Sequence, residues 1–247
     1  MANVLHEPLL QVCGVTKRFG GFTALDKVDL VVWPGERLGL IGPNGSGKST
    51  LVNCISGALR NEEGAILFAG RDIGKEAPHR RTRLGVARTF QIPRPFVSMS
   101  VLDNLRIPLL YAAGNQGQLA AGHAADEALH ILHQVGLSEK AHALSGRLTQ
   151  VDMRKLELAR AMAAKPKLLI SDEAMAGLSA SEVDDILALL CGLKGQGVAV
   201  IMIEHVMRAV MKFSERVAVL VAGRKIADGD PLVVANNMDV VTAYLGQ

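Results

Sequence analysis

The segment Gly42-Pro43-Asn44-Gly45-Ser46-Gly47-Lys48-Ser49-Thr50 meets the pattern G-x-x-x-x-G-K-[ST] at every fixed position. No other stretch limits the possible folds as tightly, since the pattern works only as a turn joining a strand to a helix. Its glycines let successive backbone N–H groups face inward as a nest for phosphate oxygens. The following helix adds its positive N-terminal end. Arg37–Ile41 is the short apolar strand leading in, and Leu51-Val52-Asn53-Cys54-Ile55 reads as the helix leading out. Asn44, Gly45, Gly47, Lys48, Ser49 and Thr50 are therefore expected to cradle a nucleoside triphosphate. Lys48 would reach the β- and γ-phosphates, and the Ser49 hydroxyl would ligate Mg²⁺.

A chain of 247 residues has room for one large domain or a domain with an inserted subdomain. Apolar residues make up 49%, yet no run approaches the ~18–20 residues needed to span a bilayer. The longest apolar stretches, near Val198–Ile203 and Val217–Ala222, have the length of buried strands. A formal net charge of +3 argues neither for nor against nucleic acid. Cys13, Cys54 and Cys191 lack metal-like spacing, so a reduced, cytoplasmic chain with buried thiols is expected. Residues Met1 to Glu7 show no basic start followed by an apolar core, hence no secretory signal.

The first part of the chain reads as β-rich. Leu9–Cys13, Val28–Val32, Arg37–Ile41 and Ala65–Phe68 are apolar runs separated by turn signals such as Gly20-Gly21 and Pro34-Gly35. From about Ile92 to Glu139 the character changes: prolines punctuate it, and Ala120–Val135 then carries helical spacing. The Gly114–Gly122 segment reads as a loop. From Asp152 onward, helices at Met153–Ala164, Ala180–Leu193 and His205–Phe213 alternate with strands at Lys167–Ser171, Val198–Ile203 and Arg216–Val221. Such alternation implies a parallel sheet covered by helices, an α/β fold.

A phosphate loop does not say what the triphosphate is used for. Lys167-Leu168-Leu169-Ile170-Ser171-Asp172-Glu173 is an apolar strand ending in two carboxylates, and ligands of open α/β sheets sit at that end. Asp172 would share the metal with Ser49, and Glu173 would polarise an attacking water. Gln91 can bind Mg²⁺ or that water, and His205 can bond the γ-phosphate and orient the water. Phe19, before Gly20-Gly21, can stack on the base, an interaction worth roughly 1–3 kcal/mol. Read alone, Gln91 is equally a surface glutamine, His205 a helix N-terminal histidine and Phe19 a core residue.

In order along the chain, Phe19, Gly42–Thr50, Gln91, Leu156-Glu157-Leu158-Ala159-Arg160-Ala161, Asp172-Glu173 and His205 resemble the ATP-binding-cassette (ABC) ATPases. Arg88-Thr89-Phe90-Gln91, Ile203-Glu204-His205 and Ala243-Tyr244-Leu245-Gly246 resemble more narrowly the ATPase subunits of branched-chain amino-acid importers. The resemblance implies a RecA-like P-loop NTPase core with an antiparallel β subdomain, at about residues 1–91 and 164–247, and an inserted helical subdomain at about 92–163. It implies two cassettes head to tail around two ATP with Mg²⁺. The helical part would dock on membrane permease subunits served by a solute-binding protein. The chain would then lie on the cytoplasmic face of the inner membrane and need no nucleic acid.

Departures from the family pattern are informative. The segment that usually reads Leu-Ser-Gly-Gly-Gln, and that contacts the ATP of the opposite cassette, falls here on Leu148-Thr149-Gln150-Val151-Asp152. Thr149 keeps a hydroxyl. Val151 replaces a glycine and restricts close backbone approach, and Asp152 is expected to set a negative charge near a phosphate. The register Leu144-Ser145-Gly146-Arg147 needs a four-residue shift and is disfavoured. Ala174 stands where proline usually follows the catalytic glutamate, and Ser179 where aspartate is frequent. A heterodimer with a second ATPase subunit and two unequal sites is the expectation, with a homodimer of ordinary sites, served by Thr149 and neighbouring amides, as the alternative. Ile92–Pro108, with Phe96, Val97, Met99 and Leu102, is the candidate permease-coupling surface. The rival readings are a nucleotide-binding regulatory subunit with little turnover and a soluble ABC ATPase outside transport.

Overall fold

The computed structural model describes residues 7–112 and 121–245. In chain order its strands are β1 (Leu10–Phe19), β2 (Phe22–Val32), β3 (Arg37–Ile41), β4 (Glu63–Phe68), β5 (Arg71–Asp72), β6 (Val86–Arg88), β7 (Leu168–Asp172), β8 (Ala199–Ile203), β9 (Arg216–Val221) and β10 (Arg224–Gly229). Its helices are α1 (Lys48–Ser56), α2 (Pro78–Leu84), α3 (Val101–Tyr111), α4 (Ala121–Gln134) and α5 (Gln150–Ala163), then α6 (Ala180–Gly192), α7 (Met207–Phe213), α8 (Pro231–Ala235) and α9 (Met238–Leu245).

Among the described residues the strands divide into two sheets. One is antiparallel in the order β2-β1-β4-β5; the other runs β10-β9-β3-β8-β7-β6. In the second sheet every pairing from β9 to β6 is parallel, and only the β10 hairpin is antiparallel. Strands β7 and β8 are buried along their whole length, as expected of parallel strands covered on both faces. The α/β architecture expected from the alternating pattern is therefore present.

Leu10, Leu25, Leu30 and Ile66 of the antiparallel sheet pack with Leu38, Leu51, Ile55, Ile170 and Ile201 into one core that joins the two sheets around α1. The chain between β6 and β7 carries α3, α4 and α5, which bury a core of their own from Val101, Leu105, Leu109, Ala124, Ala128, Leu132, Leu156 and Ala159. Local chemistry starts these helices. Ser100 caps α3 by accepting the Asp103 N–H, and Ser179 with Glu182 forms a reciprocal capping box at α6.

Several expectations change. Strand β1 runs past Cys13 to Phe19, because pairing with β2 continues to the hairpin turn. Helix α7 starts at Met207, so His205 lies in the connection rather than in a helix. Cys13 is exposed, whereas Cys54 is buried and burial pushes its thiol up to about 11. Residues 114–120 of the expected Gly114–Gly122 loop, and Gly246, lie outside the described residues, while Ala121 and Gly122 belong to the first turn of α4 and not to a loop.

Candidate active site

Sheet order assembles the site. The C-terminal ends of β3, β8, β7 and β6 are neighbours. They lead respectively into the phosphate loop, Glu204-His205, Glu173 and Gln91, residues spread over more than half of the sequence. Adjacent strands lie about 4.8 Å apart, so these segments share one edge. The pairing Asp172↔Ile203 fixes the register, and the Glu173 N–H donates to the Ile203 carbonyl at 2.9 Å.

The phosphate loop depends on two glycines. Gly42 has φ 149°, and a Cβ there would lie 2.0 Å from the Leu220 carbonyl oxygen. Gly47, with φ 105°, precedes α1, and a Cβ there would lie 2.7 Å from the Ala24 carbonyl oxygen. No other residue type fits at these positions. Lys48 is buried, and its ammonium donates to the Gly42 and Pro43 carbonyls at 2.7 and 2.9 Å. Burial lowers its pKa, opposed by the charges of Glu173 and Asp172. Asn44, Gly45 and Ser49 are exposed, and Thr50 is half-buried.

Ser49, Asp172 and Gln91 offer hydroxyl, carboxylate and amide oxygens, a hard donor set that suits Mg²⁺. Among the described residues no group of three or more His, Cys, Asp or Glu side chains converges. One carboxylate and one hydroxyl, completed by phosphate and water, match the usual way proteins hold this ion.

Glu173 is the best-defined side chain at the site. Its Oε2 accepts the Gln91 amide at 2.5 Å, and its Oε1 lies 2.9 Å from His205 Nε2. Its backbone has φ 47°, a conformation that costs a non-glycine residue roughly 1–3 kcal/mol and persists where the surroundings enforce it. The Ile203 carbonyl and the turn to Ala176 enforce it here.

Three further side chains bear on the site and were not singled out from the sequence. Arg88 Nη2 lies 2.6 Å from Asp172 Oδ2, and Arg88 Nη1 lies 2.6 Å from Asn53 Oδ1. Arg154 on α5 donates to the carbonyls of Gln91 and Ala176. Glu204 is buried, accepts the Met175 N–H at 2.9 Å, and burial raises its pKa. The available signal for Glu204 was an ionisable residue directly after an all-apolar strand. Arg88 and Arg154 gave none, because charged residues on a short strand and a helix read by default as solvated.

The Thr149–Asp152 segment forms the start of α5. Thr149 is its N-cap: its hydroxyl accepts the Asp152 N–H at 3.3 Å and donates to Asp152 Oδ2 at 2.7 Å. Asp152, expected to set a negative charge near a phosphate, does not stand free in solvent. It is buried instead, and Lys140 Nζ lies 2.5 Å from Oδ2. Burial works to raise its carboxyl, but bonds from Lys140 and Thr149 hold it below the usual range. Gln150 sits so close to Gly177 that a Cβ there would lie 2.9 Å from its amide nitrogen. Val151 is half-buried in the first turn. Ser145 is fully buried and bonded to the Phe96 carbonyl and Asn104, so the Leu144–Arg147 register has no hydroxyl to offer a ligand. Phe19 stands 48% exposed at the hairpin tip with Lys17 Nζ 5.2 Å from its ring centroid. It is therefore not a core residue.

The family model for the ABC transporter domain matches residues 25–176. The chain is 37% identical to the high-affinity branched-chain amino acid transport ATP-binding protein BraF of Pseudomonas aeruginosa, over 98% of this chain and 100% of that one. LivG of Escherichia coli strain K12, which carries the same description, is also 37% identical over the same shares. Among solved structures, the ADP conformation of MJ1267, an ATP-binding cassette of an ABC transporter, matches with a TM-score of 0.86 and 31% identity, covering 98% of this chain and 100% of that one. Matched to the family model over most of its length and to such relatives from end to end, the chain belongs to the ABC transporter family, among its ATP-binding cassettes.

Proposed function

We propose that this chain is the ATP-hydrolysing subunit of an importer for branched-chain or related amino acids, working at the cytoplasmic face of the membrane. The observation that carries the reading is the Glu173 carboxylate bracketed by Gln91 and His205, on the sheet edge that also bears the phosphate loop. The description printed for BraF and LivG supplies the solute class.

Lys48 and the loop amides bind the β- and γ-phosphates, and their charge stabilises the transferring group. Ser49, Asp172 and the Gln91 oxygen would hold Mg²⁺, which would supply neutralisation of the phosphate charge. Glu173 accepts a proton from the water that attacks the γ-phosphorus. The bond to the β–γ bridging oxygen breaks, leaving ADP and inorganic phosphate. His205 fixes the Glu173 carboxylate and donates toward the γ-phosphate. Phe19 stacks on the adenine.

The helical insertion at about residues 92–163 docks on the permease. Between it and the core lies a cleft of about 610 Å³ lined by Phe90, Phe96 and Tyr111 together with Arg83, Arg94 and Arg160. A permease segment with aromatic and acidic side chains complements that lining. Phe96 is exposed in that cleft and Val97 is exposed outside its lining, whereas Leu102 packs against the helical core. Among the described residues no helix is long and apolar enough to cross a membrane, which suits a subunit that depends on a separate permease.

The chain pairs with a second ATPase subunit, because Val151 blocks close backbone approach to the ATP of the opposite cassette while the chain's own hydrolytic residues are complete. The test is uptake of labelled leucine by cells carrying wild-type or Glu173→Gln protein, with ATP hydrolysis by the purified chain measured alone and with its partner. Uptake and hydrolysis both lost in the variant support the reading. Hydrolysis without any effect on amino-acid uptake overturns it.

A further inference from the structure

Arg88 closes β6, the strand next to β7, and its guanidinium spans two groups. Nη2 meets Asp172 Oδ2 at 2.6 Å, and Nη1 meets Asn53 Oδ1 of α1 at 2.6 Å. The pair is shielded, with side-chain exposures of 14% for Arg88 and 10% for Asp172. A shielded pair at this distance interacts several times more strongly than one in open water. Asp172 is also the one carboxylate assigned above to Mg²⁺. Its negative charge is therefore already matched by the guanidinium of Arg88 before any metal arrives.

We infer that Arg88 is the resident counter-cation of Asp172 and sets how strongly nucleotide binding depends on Mg²⁺. This rests on the reading of Asp172 as the metal carboxylate. Two consequences follow from charge alone. With Arg88 in place, Asp172 does not repel a metal-free triphosphate, so the nucleotide binds appreciably without the ion. Arg88 also repels Mg²⁺ from Asp172 and shares one of its oxygens, so the gain on adding the ion is moderate. Removing the guanidinium exposes the carboxylate: metal-free nucleotide binds more weakly and Mg²⁺ becomes a stronger requirement. A residue that merely stapled α1 to the sheet would weaken both forms equally.

The experiment is calorimetric titration of the whole chain with a non-hydrolysable ATP analogue, in Mg²⁺ and in EDTA at equal ionic strength. The quantity read is the Kd in EDTA divided by the Kd in Mg²⁺. Arg88→Met is expected to raise that ratio about tenfold over wild type, and Arg88→Lys by less. Asn53→Ala removes the other arm of the bridge without changing any charge and is expected to leave the ratio unchanged, even if melting drops. An unchanged or smaller ratio in Arg88→Met overturns the inference, as does a rise of the same size in Asn53→Ala. Asp172→Asn separates the two layers. If it leaves the Mg²⁺ dependence intact, the assignment of Asp172 itself fails. If it abolishes that dependence while Arg88→Met leaves the ratio at the wild-type value, only the role of Arg88 fails.

Discussion

His205 Nε2 and Glu173 Oε1 lie 2.9 Å apart although the residues stand 32 positions apart in the chain. The contact exists because β8 and β7 are neighbours and the turns that follow them face each other. With Gln91 on the second oxygen, the carboxylate has little rotational freedom. It is held as a fixed acceptor, and general-base positioning of this kind contributes about 10²–10⁴-fold to rate. Glu173→Gln is expected to reduce ATP hydrolysis by that factor while leaving the nucleotide Kd within about threefold. His205→Ala is expected to cost about 10²-fold, mostly in kcat. Steady-state hydrolysis beside equilibrium binding checks both, and loss of binding in Glu173→Gln contradicts the assignment.

The Val151 side chain is a sharper test of asymmetry. At the first turn of α5, replacing it with glycine removes the Cβ that restricts backbone approach. The cost is about 0.3–0.5 kcal/mol of helix propensity, since valine itself ranks low, or roughly 1–2 °C of melting temperature for a chain of this size. Val151→Gly is expected to raise hydrolysis by the assembled pair of ATPase subunits about tenfold despite that lower stability. A less stable protein with unchanged turnover would show that the Thr149 hydroxyl and neighbouring amides already suffice.

Arg154 ties three segments together. It stands on the helix that Thr149 caps, and its guanidinium reaches the Gln91 and Ala176 carbonyls. Glu204 takes the amide of Met175, the residue before Ala176. The turn after Glu173 is thus gripped from both sides. Lysine carries the charge but lacks the planar fork that reaches two carbonyls. Arg154→Lys is therefore expected to lower kcat about tenfold with KM nearly unchanged. In a Gln91→Ala background the same change is expected to have little further effect, since residues in one network are not additive. Equal effects in both backgrounds would assign Arg154 a purely structural role.

What the sequence disclosed tracks how local the information is. The phosphate loop was legible because one fixed spacing carries turn, helix start and ligand together, and β3, β7 and β8 were legible because a parallel strand buried on both faces is a continuous apolar run. The placement of Glu173 beside His205 depends on strand order, which no local pattern states. Asp152 misled because its partner Lys140 is held against it by the fold of the helical insertion; charge alone suggested an exposed group. Helix α3 went unread because Pro108 sits inside it, where local rules predict a break. The carbonyl this proline leaves without its usual donor is that of Asn104, one turn back in the same helix.

Glu204 gives a pH-dependent prediction whose sign can be worked out. Burial raises its carboxyl above the ordinary 4.5, so the folded state binds a proton that the unfolded state has already released. The destabilising cost of the buried charge is absent below pH 4.5, grows as pH rises toward the folded-state value, and is present in full above it. Asp152 behaves oppositely, contributing stability that is present in full above the ordinary 3.8 and is lost as pH falls from there through its own lowered value. Glu204→Gln keeps an oxygen to accept the Met175 N–H but carries no charge. It is expected to melt higher than wild type at pH 7 to 8, by roughly 2–4 °C for each kcal/mol relieved, with the gap closing as pH approaches 4.5. Melting curves of both proteins across that range check it. A variant less stable at pH 8, or a gap independent of pH, would mean that Arg154 and the nearby amides compensate the buried carboxylate fully.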